Sequence, residues 1–93
     1  MVVERATEDN LADVIVVDAA QMGKPRTALL TDAVRQRQCY IARDGWDVVG
    51  YAVLTTHFFG QYFIELVVVH PAQRRKGVAS ALMRQIEKLV PAE

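Results

Sequence analysis

Residues 63–83 read FIELVVVHPAQRRKGVASALM and predict a strand, a basic loop and a helix in direct succession. The run Gln61–Val69 is rich in β-branched residues without clean alternation, which is typical of a strand covered on both faces. From Val78 onward, apolar residues recur at a helical spacing. These residues are Leu82, Ile86 and Leu89. We expect the helix to end before Pro91, because proline interrupts the helical hydrogen bonds.

The basic loop between this strand and this helix has the features of an anion site. The first backbone amides of a helix have no partner inside it, and the helix dipole favours negative charge beside them. Gly77 lets an anion approach the backbone closely, and Ser80 adds a hydroxyl donor. Three basic residues precede the glycine: Arg74, Arg75 and Lys76. The loop therefore predicts a phosphate or pyrophosphate ligand, and the alternative interpretation is a solvated basic turn.

The chain before this unit predicts three more strands and two helices. Residues 2–6 form a short strand, and Thr7 is a suitable N-cap for a first helix that ends near Gly23. Pro25 fits the first turn of a second helix. The apolar stripe of that helix consists of Leu29, Leu30, Ala33 and Val34. Residues 39–43 and 48–56 are strands on either side of the turn signal Asp44-Gly45. The order is therefore β-α-α-β-β-β-α, a mixed α/β fold.

Composition limits the possible functions. The 93 residues predict a single domain, 1–93, and 52% of them are hydrophobic, which argues against disorder. Eleven basic residues balance eleven acidic ones, and the formal net charge of zero disfavours general nucleic-acid binding. Cys39 is the only cysteine, neither histidine has metal-ligand neighbours, and no apolar run is long enough to cross a membrane. We expect a cytoplasmic protein without a metal.

The basic loop and its context resemble the GCN5-related N-acetyltransferase (GNAT) superfamily. The signature of that family, [RQ]-x-x-G-x-[GA], is matched at every fixed position by Arg74, Gly77 and Ala79. The order of elements is similar, and GWDVVGYAVL resembles the usual third strand. The resemblance implies a mixed, mainly antiparallel sheet with flanking helices. Family domains usually continue beyond the third helix, so we expect the C-terminal half of the usual fold to be missing from this chain.

The resemblance implies acetyl-coenzyme A as cosubstrate. Family members hold the pyrophosphate with the loop and the start of the helix, and the pantetheine arm pairs with the exposed edge of the fourth strand. An exposed edge has free N–H and C=O groups for such pairing. Carried over to this sequence, the binding residues are Val67, Val68, Val69, Arg74, Arg75, Lys76, Gly77, Val78, Ala79 and Ser80.

The implied reaction transfers the acetyl group to a primary amine of an acceptor, a small molecule or a peptide. Glu65 occupies a position where family members often have a general base, and a solvated surface glutamate is the alternative interpretation. A second hypothesis is a truncated GNAT fold that acts as a coenzyme A-binding or interaction module with little or no catalysis. Because the missing half would cover the fourth strand and the third helix, we expect a homodimer or a partner chain there.

Overall fold

The computed structural model describes residues 1–57 and 61–89 of the chain. The strands are β1 (Val2–Arg5), β2 (Cys39–Asp44), β3 (Asp47–His57) and β4 (Gln61–Val69). The helices are α1 (Leu11–Met22), α2 (Thr27–Arg35) and α3 (Val78–Leu89). Short 3-10 turns at Glu8–Asn10 and Pro71–Gln73 precede α1 and the basic loop. This order confirms the predicted mixed α/β fold.

The described strands form one antiparallel sheet in the order β1-β2-β3-β4. Gly45 and Trp46 connect β2 to β3, with Asp44 paired to Asp47. Gly45 has a φ of 64°, which suits a two-residue hairpin, and Trp46 is exposed at the tip. Strand β4 is at the edge of the sheet. In the part of the chain that the structure describes, no further strand pairs with its outer side.

Helices cover both faces of the sheet, so two cores form. The face that carries α1 and α2 includes buried Val14, Val17, Leu30, Ile41, Tyr51 and Val53. The opposite face carries α3 and includes buried Tyr40, Ala52, Leu54, Val78, Leu82 and Ile86. Coverage of both faces explains why the apolar run of β4 does not alternate cleanly, as the sequence predicted.

Two details of α2 differ from the prediction. The helix begins at Thr27, so Pro25 lies outside its first turn. Arg26 has ψ 64°, outside the helical region, because its backbone N–H donates to the carboxylate of Asp18 on α1 at 2.8 Å. Leu29 is 39% exposed, whereas the other three residues of the predicted stripe are buried.

Gly50 on β3 allows α3 to pack close to the sheet. A Cβ atom at this position would lie 2.8 Å from Val78 Cγ1 and 3.0 Å from the carbonyl oxygen of Val68. Both distances are shorter than ordinary van der Waals contact, so a side chain at this position would push the start of α3 away. Glycine therefore sets how closely the first turn of α3 approaches β3, next to β4.

Candidate functional site

A cavity of about 490 Å³ lies between β4 and the start of α3, with the end of α1 on its other side. Nine of the ten binding residues expected from the sequence line it: Val67, Val68, Val69, Arg74, Arg75, Gly77, Val78, Ala79 and Ser80. Lys76 is exposed and does not line the cavity. The cavity also includes five residues that sequence reasoning did not assign: Gln21, Met22, Arg26, Leu66 and Gln73.

The backbone of the basic loop turns helix amides towards this cavity. The carbonyl oxygen of Gly77 accepts the Ala81 N–H at 2.9 Å, which is the first α-helical hydrogen bond of α3. The amides of residues 78–80 therefore have no partner inside the helix. Arg75 and Gly77 have φ values of 66° and 77°, and such left-handed residues between extended or helical neighbours create concave, anion-binding backbone.

Hydrogen bonds to β3 and α1 fix the loop in place. The His70 N–H donates to the carbonyl oxygen of Val49 at 2.9 Å, so the loop leaves the sheet from a paired position. The ring Nδ1 of His70 then accepts the Ala72 N–H at 3.1 Å. The Arg74 guanidinium donates to the side-chain oxygen of Gln21 at the end of α1. This contact connects the two walls of the cavity.

The open edge of β4 provides backbone groups beside the loop. The His70 N–H is directed at β3, and the Val68 carbonyl oxygen lies close to Gly50, which is also on β3. Because residues two apart face the same side of an antiparallel strand, the N–H and C=O groups of Val67 and Val69 are directed at the open edge. The cavity therefore combines free helix amides with free strand groups.

A buried polar cluster at the α1–α2 junction was not predicted from the sequence. Asp18 is fully buried, and its Oδ1 accepts hydrogen bonds from Tyr51 Oη at 2.7 Å and from Arg26 Nη2 at 2.6 Å. Its Oδ2 accepts the Arg26 backbone N–H at 2.8 Å and Nε at 3.3 Å. The carboxylate therefore holds both the backbone and the guanidinium of Arg26 at the edge of the cavity.

Charge and burial in this cluster shift the ionisation of its members. Burial favours the neutral form of Asp18, but the hydrogen bonds from Arg26 and Tyr51 outweigh it and lower the pKa from 3.8 to about 2. The hydrogen bond to Asp18 raises the pKa of Arg26. Burial and the neighbouring carboxylate raise the pKa of Tyr51 well above its ordinary value. The cluster is an Asp–Arg ion pair with a neutral phenol over the working pH range.

Glu65 lies on a different cavity from the binding loop. Ile64 pairs with Leu54 and Leu66 with Val53, so Glu65 is an extra residue at a bulge in β4. Its exposed side chain lines a cavity of about 240 Å³ beside α2, together with Asp32 and Thr55. The large cavity begins one residue further on, at Leu66. The role of Glu65 as a base stays a prediction.

Within residues 1–57 and 61–89, no group of three or more histidine, cysteine, aspartate or glutamate side chains has a geometry that could hold a metal ion. None of the helices in these ranges has the length and apolar character needed to cross a membrane.

Comparison with known proteins identifies the family. The family model described as Acetyltransferase (GNAT) family matches residues 8–93. The chain belongs to the GNAT acetyltransferase family. The match confirms the resemblance drawn from Arg74, Gly77 and Ala79, and it supports assignment as an acyltransferase. Among curated proteins, no sequence matches the chain at a significant level.

Solved GNAT structures share this fold. A GNAT-family acetyltransferase from Bacillus cereus ATCC 10987 is 27% identical with a TM-score of 0.85, over 91% of this chain and 61% of that one. A GCN5-related N-acetyltransferase from Kribbella flavida is 27% identical with a TM-score of 0.76, over 95% of this chain and 26% of that one. Diaminobutyrate acetyltransferase from Paenibacillus lautus, solved with its substrate and coenzyme A, is 19% identical with a TM-score of 0.77, over 91% of this chain and 55% of that one. The chain thus spans less than two thirds of each of these proteins.

Proposed function

We propose that this GNAT domain is an N-acetyltransferase that takes an acetyl group from acetyl-coenzyme A and transfers it to a primary amine. One observation carries the proposal: the free amides at the start of α3 and the open edge of β4 line the same cavity. The solved diaminobutyrate acetyltransferase contains coenzyme A, which supports this choice of donor. The thioester supplies the acetyl group, and the residues of the chain bind and orient the reactants.

The start of α3 is the proposed site for the diphosphate of coenzyme A. The amides of residues 78–80 donate to phosphate oxygens, and the helix dipole adds favourable charge. Arg74 and Arg75 at the mouth provide positive charge, and Ser80 provides a hydroxyl. A Cβ atom on Gly77 would meet nothing within 4 Å, so space for a ligand exists above the backbone.

The edge of β4 is the proposed site for the pantetheine arm. Its two amides can pair with the outward N–H and C=O groups of Val67 and Val69, as an added strand would. This pairing fixes the direction of the arm along β4, from the α3 amides towards Leu66. Glu65 lies at the bulge, next to Leu66 in the direction of the arm. We propose it as the base that accepts a proton from the attacking amine, directly or through water.

A second candidate function is a domain that binds coenzyme A or a partner and transfers little or no acetyl group. The position of Glu65 on a separate cavity favours this candidate. Glu65→Gln distinguishes the two, since it should lower turnover and leave coenzyme A affinity unchanged if the carboxylate is the base. An assay of thiol release over a panel of amines measures this. Turnover equal to wild type removes Glu65 from the mechanism.

Calorimetric titration with coenzyme A tests the donor site. Gly77→Asp should abolish binding, because it places a negative charge beside the proposed diphosphate. Gly45→Asp is the matched control, since both glycines have a positive φ and open space where a Cβ would lie. The backbone strain is therefore similar, but Gly45 does not line the cavity. Absence of heat with the wild-type protein, or equal binding by both variants, contradicts the proposed donor site.

A homodimer, or a partner chain, is the proposed cover for β4 and α3. Ile64 on β4 and Met83 on α3 are 39% and 45% exposed, and covering them removes apolar area from water. Sedimentation velocity tests this, and a single monomeric species at all concentrations contradicts it. We also propose a cytoplasmic location, which is compatible with the free thiol of Cys39.

A further inference from the structure

Arg26 lines the cavity from the side of the sheet that carries α1 and α2. It belongs to the polar cluster on the sheet face that carries α1 and α2, whereas Val78 belongs to the core on the opposite face. Its side chain is 32% exposed and lines the cavity beside Met22 and Leu66. The cavity therefore has guanidinium donors at two places: the loop, and Arg26, whose charge is paired with that of Asp18.

The Arg26 guanidinium has N–H donors that its present partners do not use. Arginine has five N–H donors on three nitrogens. Nε and Nη2 donate to the two oxygens of Asp18, and Nη2 also donates to Tyr51 Oη at 3.3 Å. The two N–H groups of Nη1 have no acceptor among the residues that the structure describes. Arg26 can thus bind a further anionic or polar group without giving up its present partners.

The surroundings hold Arg26 in one position. Asp18 and Tyr51 are both fully buried, and the backbone N–H of Arg26 is bonded to the same carboxylate as its side chain. An arginine that is already fixed loses little side-chain entropy when it binds a ligand. The neighbours Met22 and Leu66 are apolar, so a charged ligand group at this wall depends on Arg26 for compensation.

We propose that Nη1 of Arg26 binds a carboxylate of the acceptor, so that the acceptor is an amine that also carries a carboxylate, as a free amino acid does. This inference rests on the proposed function of the same cavity. The loop binds the anionic part of the donor at one end, and Arg26 binds the anionic part of the acceptor at the other. Asp18 and Tyr51 are positioning residues, because they act through Arg26.

Matched acceptors test the charge requirement. Free α-amino acids and diamino acids are each compared with their carboxamides, which keep the shape and lose the charge. We expect kcat/KM for the acid to exceed that for the amide by about 10- to 100-fold, the value of a charge-assisted hydrogen bond. Arg26→Gln should remove this preference, and Arg26→Lys should retain part of it. Arg35→Gln is the control, since Arg35 is at the opposite end of α2 from its N-cap Arg26, is 68% exposed and does not line the cavity.

Equal rates for acids and amides, or an equal loss for both in Arg26→Gln, overturn the proposal. The 3′-phosphate of coenzyme A is the other possible anion, so binding of coenzyme A and of dephospho-coenzyme A is compared in the same variants. If Arg26→Gln weakens only coenzyme A, the guanidinium binds the donor and the proposal fails.

A second readout does not depend on turnover. In the wild-type protein with coenzyme A bound, the NMR signal of Arg26 Nε–H should shift with the amino acid and not with its carboxamide. No shift with any acid overturns the subsite, even if acetyl transfer occurs. A shift without acetyl transfer supports the subsite and contradicts the proposed enzyme activity, so the two failures can be distinguished.

Discussion

Replacement of Gly50 by alanine tests how closely α3 must approach the sheet. The added carbon would lie 2.8 Å from Val78 Cγ1, whereas carbon atoms pack at about 3.5–4.0 Å. Val78 is 2% exposed and packed in the core, and the Val68 oxygen at 3.0 Å is backbone, so neither neighbour is the end of a flexible side chain. Gly50→Ala therefore forces the first turn of α3 outward.

The expected cost follows from two opposing terms. Overpacking a core costs about 1–3 kcal/mol. Replacing glycine in a strand recovers about 0.5–1 kcal/mol through the unfolded chain. The middle of both ranges gives a net loss of about 1 kcal/mol, which lowers Tm by about 4–8 °C in a domain of this size. Urea unfolding and calorimetry measure both quantities, and coenzyme A titration should show weaker binding because the α3 amides move relative to β4.

A double-mutant cycle identifies the cause. Val78→Ala removes the atom that meets the new carbon, so Gly50→Ala with Val78→Ala should be less destabilised than the sum of the single variants by about 1 kcal/mol. Ile86→Val is the control, because Ile86 lies on the same helix face but is not among the nearest neighbours of the added carbon. Wild-type stability in Gly50→Ala, or an additive cycle with Val78→Ala, would refute the packing argument.

Three further predictions concern buried groups. Tyr51→Phe removes the 2.7 Å hydrogen bond to the Asp18 carboxylate and should lower the free energy of unfolding by about 1.5–3 kcal/mol in urea titrations. An unchanged free energy of unfolding would contradict a buried, charged Asp18. The folded pKa of Asp18 is about 2 against 3.8, so its stabilisation of about 2.5 kcal/mol is present above pH 4 and is lost as the pH falls towards 2. Asp18→Asn should flatten this part of the pH profile, whereas exposed Asp44→Asn should not. Burial raises the pKa of Cys39 to about 12, so its thiol should react with a disulfide reagent only on unfolding, and rapid reaction of the native protein contradicts its burial.

The main features of the fold could be predicted because they depend on local patterns. The bounds of β4 and the start of α3 at Val78 follow from an apolar run, a basic loop and a helical period. The start of α2 could not be predicted in this way. Arg26 is held out of the helix by a side chain eight positions earlier, and no local preference of Pro25 or Arg26 records that contact.

The candidate site likewise has one part that the sequence predicts and one part that it does not. Free amides at the start of a helix are a property of the local backbone, so the basic loop was visible in the sequence. The Asp18 cluster depends on Tyr51, which is 33 residues away. One signal was present: Asp18 follows Val14 and Val17 at a helical spacing, so a charged residue lies on the buried stripe of α1. Such a residue needs a buried partner, but the sequence does not say which one.

The packing of α3 has a consequence for ligand affinity. Among the side chains of this helix whose burial the structure describes, Val78, Leu82 and Ile86 are buried against the sheet, and the amides at its first turn are also the proposed ligand contacts. Undocking of the helix and release of the ligand are therefore linked equilibria, and each must shift the other by the same free energy. Core substitutions under α3 that do not touch the ligand should then weaken binding once they populate the undocked helix, because only the docked fraction binds.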